Sequence, residues 1–116
     1  MTSEASWQDA IAATLSHFGK LDILVNNAGI SGSDPDLLSS AAWDRMMAVN
    51  GKGVFLGMKY AIPVMVEAGG GAIVNISSVS GFIGQEGLHM AYGASKGAVR
   101  LMTKSAAVQY ARSGIR

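Results

Sequence analysis

Two short apolar runs, Leu21 to Val25 and Ala72 to Ile76, each stop abruptly on polar residues, and a long stretch of helical spacing lies between them. A brief apolar run without strict alternation reads as a strand buried on both faces, which is the habit of parallel sheets. Parallel neighbours cannot be joined by a tight hairpin and need a crossover of a dozen or so residues, usually helical. The segment from Ser39 or Ser40 through Trp43, Met46, Met47, Val54 and Met58 toward Glu67 supplies that crossover. A serine caps its start, Pro63 is expected to bend it, and Gly69-Gly70-Gly71 ends it. Upstream, Trp7, Ile11, Leu15 and Phe18 repeat at helical spacing between Thr2-Ser3, which can cap, and Gly19, which can stop a helix. Downstream, a helix is expected over about Ala91 to Arg112, with loops at Ile30 to Leu38 and Ser77 to about His89. The fold class is therefore α/β, a partial Rossmann-like doubly wound parallel sheet of about two strands and three helices.

Composition narrows the function classes. The 116 residues carry nine basic and eight acidic side chains, so no broad field points to nucleic acid or to an anionic membrane. There is no cysteine, which excludes disulfides, thiol catalysis and thiolate metal sites and suits a cytoplasmic location. The apolar runs are too short for a membrane span, the residues from Met1 to Ser6 lack a signal-peptide pattern, and no His/Asp/Glu spacing suggests a metal.

Ligands of open parallel sheets bind outside the carboxyl ends of the strands. Asn26-Asn27-Ala28-Gly29 follows the first apolar run and Ser77-Ser78 the second, so both face one crevice. The last helix brings Tyr92 to the same rim, and Lys96, four positions on, shares its face. A fixed ammonium favours the phenolate, which turns a sluggish phenol into a usable acid and base. Asn50 is a poor helix former in mid-helix, where its side chain competes for backbone bonds, and a disfavoured residue there suggests function. Each has a plainer reading: an amphipathic surface pair, turn residues, a tolerated surface asparagine. Gly51-Lys52-Gly53 is not a phosphate loop, because it lies inside a helical pattern and lacks the GxGxxG spacing. His17 is expected near a solvated helix end, and His89 in loop packing or a substrate wall rather than in catalysis.

Taken in order, Asn26-Asn27-Ala28-Gly29, Asn50 within Met47-Ala48-Val49-Asn50, Ser77-Ser78-Val79-Ser80-Gly81 and Tyr92-Gly93-Ala94-Ser95-Lys96 resemble the short-chain dehydrogenase/reductase family over essentially the whole chain. The resemblance implies an oxidoreductase that moves a hydride between NAD or NADP and an alcohol or carbonyl substrate. It implies Tyr92 as general acid/base, Ser78 as the hydroxyl that orients the substrate oxygen, and Lys96 as the group that favours the phenolate and holds the nicotinamide ribose. Asn50 would support a water chain from Lys96 to solvent, and Asn26, Ala28 and Gly29 would line the cofactor, with Tyr92 and Lys96 also in contact with it. The Ser78-to-Tyr92 segment is slightly longer than the family's spacing, which keeps Ser77 and Ser80 as alternatives. Ser78 is preferred as the second serine of the SSxxG pattern.

The resemblance also implies an extent. Residues 1–116 are expected to form an incomplete NAD(P)-binding Rossmann-fold domain, with the TGxxxGxG segment and the C-terminal strands and substrate loop absent. The last helix carries apolar residues on several sides, including Ala98, Leu101, Met102 and Val108, and is expected to be buried on several sides. With the helix before it, it resembles the surface through which the family forms homo-oligomers. The contrasting expectation is an inert fragment or association module of such an enzyme.

Overall fold

The computed structural model describes Met1–Arg116. Helix α1 (Glu4–Phe18) starts where Ser3 Oγ accepts the Ser6 N–H at 3.3 Å and stops at Gly19, whose φ of 75° only glycine adopts at little cost. Strand β1 (Ile23–Asn26) then pairs in parallel with β2 (Ala72–Asn75), Leu24 opposite Ile73 and Asn26 opposite Asn75. The chain end continues the sheet beyond β2, where Ile73 N–H donates to Arg116 O at 2.8 Å and Arg116 N–H to Gly71 O at 3.0 Å. The crossover between the strands comprises α2 (Ser40–Met46), a π-helical turn (Met47–Lys52) and α3 (Gly53–Glu67). After β2, a short 3-10 turn (Val79–Gly81) leads to α4 (Met90–Tyr110). No helix is long and apolar enough to cross a membrane.

Pro63 is carried within α3, and the crossover departs from regular α-helix at the π turn. A π turn inserts an extra residue into the helical ladder, and such turns gather at functional sites. The turn sets Asn50 and Gly51 inside.

Only one face of each strand is covered. Side chains alternate across a strand, and α1, α3 and α4 cover only the face of Leu24, Asn26, Ile73 and Asn75. Ile23 and Val25 on the other face are 61% and 54% exposed. On the covered face, Ile11, Leu24, Ala61, Met65 and Ile115 form one core cluster, and Val54, Met58, Ile62 and Val99 a second. Helix α4 departs from its expectation in the same way: Val99 is fully buried, whereas Leu101 is 66% exposed along with Val108.

An exposed clasp ties α1 to α3. One Glu4 carboxylate oxygen accepts from Lys59 Nζ at 2.6 Å and from the Tyr60 hydroxyl at 2.5 Å. The hydrogen bond from Lys59, then that from Tyr60, holds the Glu4 carboxyl below its ordinary range, and the bonds to Glu4 raise both donors.

Helix α3 lies close against β1 because Gly57 has no side chain. A Cβ there would stand 2.3 Å from Asn26 Oδ1 and 3.0 Å from the Trp7 ring. Replacing a helical glycine by alanine gains up to about 1 kcal/mol of helix propensity, but forced overpacking costs about 1–3 kcal/mol. Because Asn26 is buried and bonded across the sheet, the steric cost dominates. Gly57→Ala is therefore expected to lower stability in thermal or denaturant unfolding, and an unchanged or raised midpoint would contradict this packing.

Candidate active site

Beyond β1 the chain turns at Asn27, Ala28 and Gly29 and is caught by Asn50. The Asn50 Oδ1 accepts the Ile30 N–H at 2.8 Å, and its Nδ2 donates to Ile30 O at 3.0 Å and to Ser95 Oγ at 3.3 Å. The amide thus serves a backbone segment from another element and a side chain of α4 at once, and the residue is 1% exposed. Gly29 allows this closeness. A Cβ there would lie 3.2 Å from Asn50 Oδ1 and 3.5 Å from Lys96 Nζ.

The start of α4 is fixed from two sides. His89 Nδ1 accepts the Ala91 N–H at 3.1 Å as the helix cap, while its other ring nitrogen meets Ser39 O at 3.0 Å. His89 N–H donates to Gly32 O at 3.1 Å, and a Cβ on Gly32 would come within 2.7 Å of Tyr92 Cβ. The buried imidazole is thus a joint between the starts of α2 and α4, in agreement with a packing role.

On the β2 side, the serine loop lies flat on α4. Ser77 Oγ donates to Lys96 O at 2.8 Å, and a Cβ on Gly81 would meet the Lys96 carbonyl carbon at 2.8 Å. Lys96 Nζ donates to Ile76 O at 2.9 Å and sits 5.9 Å from the centroid of the Tyr92 ring. Lys96 is 6% exposed, and none of the ion pairs includes it. A buried ammonium has three hydrogens to place, and one carbonyl takes one of them. Such a group fits the hydroxyls of a nucleotide ribose, so the residues present suit the nicotinamide end of NAD or NADP.

The structure brings Gly29, Asn50, Tyr92 and Lys96 into one cluster at the carboxyl end of the sheet, with half-buried Ser78 on the loop after β2. Ala28 is exposed on the loop after β1. Asn26 lies elsewhere. Its Nδ2 donates to Asn75 Oδ1 at 2.8 Å, its Oδ1 has no partner, and the side chain is buried beneath α3. It is turned toward the helices because its register places it on the covered face, so only its backbone is left to line a cofactor. Asn75 continues inward to Thr103 Oγ1 at 3.0 Å.

Ser95, fully buried between Asn50 and Tyr92 O, was not singled out by the sequence reading, although it lies inside the Tyr92–Lys96 segment. Ser80 and Gln85, hydrogen-bonded to each other, were also missed as a pair. No group of three or more His, Asp or Glu side chains gathers at the site.

A family model described as short chain dehydrogenase matches residues 1–116. The 2-(R)-hydroxypropyl-CoM dehydrogenase of Xanthobacter autotrophicus is 48% identical over 120 residues, a match that covers 100% of this chain and 48% of that protein. Cyclopentanol dehydrogenase of Comamonas sp. is 45% identical over 117 residues, covering 100% of this chain and 46% of that protein. Among solved structures, levodione reductase superposes with a TM-score of 0.93 at 38% identity, over 99% of this chain and 45% of its own. The chain spans about half the length of the curated relatives it matches.

Removing the Asn50 amide leaves the Ile30 N–H and C=O without partners. Each unsatisfied buried group costs about 1–3 kcal/mol, and Ile30 is only half-buried, so water recovers part. Asn50→Ala is expected to lose about 1–3 kcal/mol in unfolding measurements and to speed hydrogen exchange at the Ile30 amide. Unchanged protection at Ile30 would show that this bond does not hold the loop.

Proposed function

The chain belongs to the short-chain dehydrogenase family, and from that premise we propose that residues 1–116 are the proton-handling half of an NAD(P)-binding Rossmann domain that interconverts secondary alcohols and ketones. The observation that carries the reading is the buried Lys96 ammonium, placed beside Tyr92, Gly29 and Asn50 with a single carbonyl acceptor. The relatives' names support the substrate class, since cyclopentanol and a 2-hydroxypropyl group are both secondary alcohols.

In alcohol oxidation the Tyr92 phenolate takes the hydroxyl proton, and in carbonyl reduction the phenol returns it. The remaining hydrogens of the Lys96 ammonium would hold the hydroxyls of the ribose. Ser78 hydrogen-bonds the same substrate oxygen and fixes the direction of proton transfer. The Asn50 side chain is engaged with Ile30 and Ser95, so it supports the proton path from Lys96 by fixing the wall beside it. Ala28, Gly29 and the backbone at Asn26 line the cofactor. When bound, the nicotinamide accepts or supplies the hydride.

General acid/base residues contribute about 10²–10⁴-fold, so Tyr92→Phe is expected to lower kcat for cyclopentanol by that factor in the full-length protein. NADH or NADPH binding measured by calorimetry should fall far less than kcat, because the phenol hydroxyl is one of several cofactor contacts but the only proton carrier. Retained turnover in Tyr92→Phe would remove Tyr92 from the mechanism. Absence of saturable NADH and NADPH binding in the unaltered protein would favour the inert reading.

The exposed side of α3 and α4 supports the homo-oligomer reading. A mainly apolar cleft of about 940 Å³ runs between these helices, and Phe55, Ile62, Leu101 and Met102 are among its walls. The occupant we propose is the same surface of a second copy, because an isologous pairing buries both patches together. Sedimentation of the full-length protein should give a dimer or higher species that Leu101→Glu weakens, and a monomer at high concentration would refute the pairing.

A further inference from the structure

His89 is 3% exposed, and each of its polar groups meets a different partner. Its N–H donates to Gly32 O at 3.1 Å on the loop after β1, and its carbonyl accepts the Tyr92 N–H at 2.9 Å. The ring lies between two helix starts, with Nδ1 at 3.1 Å from the Ala91 nitrogen and Nε2 at 3.0 Å from Ser39 O. An amide N–H only donates and a carbonyl oxygen only accepts, so these two contacts fix the state of the ring. Nδ1 must offer its lone pair and Nε2 must carry the hydrogen, which is the neutral Nε2–H tautomer. A second proton has no place on this ring, because an Nδ1–H would face the Ala91 N–H. Ser39 is itself the cap of α2: its Oγ accepts the Ala42 N–H at 3.2 Å, and its carbonyl also takes the Trp43 N–H at 3.0 Å. The imidazole therefore ties the cap of one helix to the cap of another.

We propose that His89 is a positioning residue for the reaction, and that in its neutral Nε2–H form it sets where the Tyr92 phenol stands at the rim of the site. The inference rests on the acid/base role of Tyr92 given above. Next to the two caps lies a small core of Ala42, Met46 and Ala91, against which Ile30 and Tyr92 pack. The spacing of α2 and α4 shapes that core, and the bridge from Ala91 through the imidazole to Ser39 sets the spacing. Gly32, held by the His89 N–H, stands so near that a Cβ on it would come within 2.7 Å of Tyr92 Cβ. A reacting group misplaced by about 1 Å costs about 10²-fold in rate, so a joint one helical turn from the phenol bears on chemistry as well as on folding. The plainer reading is a helix cap and nothing more. Serine is a preferred cap, and Ser3 and Ser39 fill that place in α1 and α2. A serine at position 89 would serve α4 in the same way, but its short side chain would leave Ser39 O without the second partner that the far nitrogen of the imidazole supplies.

The test uses the full-length protein. In its imidazole nitrogen NMR spectrum, taken at the pH of the assays, the His89 ring should show a protonated Nε2 and an unprotonated Nδ1. The opposite tautomer, or a ring protonated at both nitrogens, would overturn the proposal, and this measurement needs no variant to fold. His89→Ala should lower kcat for cyclopentanol about ten- to a hundredfold while leaving the dissociation constant of NADH, from calorimetry, within about threefold. His89→Ser should unfold at a higher temperature than His89→Ala without regaining kcat, since it caps α4 but does not reach Ser39. In a Tyr92→Phe background, His89→Ala should change the residual kcat by no more than about twofold. Unaltered turnover in His89→Ser, or equal losses with and without the Tyr92 hydroxyl, would reduce His89 to a cap. No turnover by the unaltered protein, or full turnover in Tyr92→Phe, would instead defeat the proposed function and the positioning role with it, whatever the ring spectrum shows.

Discussion

The two hydrogen bonds between the Asn50 amide and the Ile30 backbone are the constraint on which the rest of the site depends. They join the loop after β1 to a turn in the crossover helix, and the third bond, to Ser95, joins both to α4. A backbone segment leaving a strand has lost its ladder partners and must find others. Here a side chain supplies a donor and an acceptor in the geometry of a neighbouring strand. The π turn sets that side chain facing inward, and its deviation from regular helix is thereby offset by bonds that a regular helix would not make.

Much of this was legible in sequence because the elements obey local rules. The two apolar runs ending at Val25 and Ile76 located the strands, Ser3 and Gly19 the limits of α1, and the Tyr92–Lys96 spacing a shared helical face. What escaped was relational. The π turn has no sequence pattern of its own, and Pro63 was the more visible irregularity. Nothing in the letters of Asn26 and Asn27 says which side chain turns inward; the register with Asn75 decides it. Ser95 drew no notice because a serine between alanine and lysine in a helix is unremarkable until its neighbours are known.

Beneath the polar cluster, the neighbouring loops approach helix α4 closely through glycines. The serine loop approaches it at Gly81, the loop after β1 at Gly32, and the buried positions of its first turns are Ala91, Ser95 and Lys96. Close backbone approach leaves little room for the groups to drift, which is how short hydrogen bonds are maintained without long side chains to brace them.

The closeness at Gly81 and Gly32 has an evolutionary reading. A lineage could keep Asn50, Ser78, Tyr92 and Lys96 unaltered and still lose the arrangement by acquiring a single methyl group, because a Cβ at either glycine intrudes on Lys96 or Tyr92 at less than 3 Å. The proposed chemistry of the site rests on four polar residues, but its permissible drift is bounded by volume. Inheritance of those four letters alone is therefore a weaker guarantee of a working site than inheritance of the vacant space beside them.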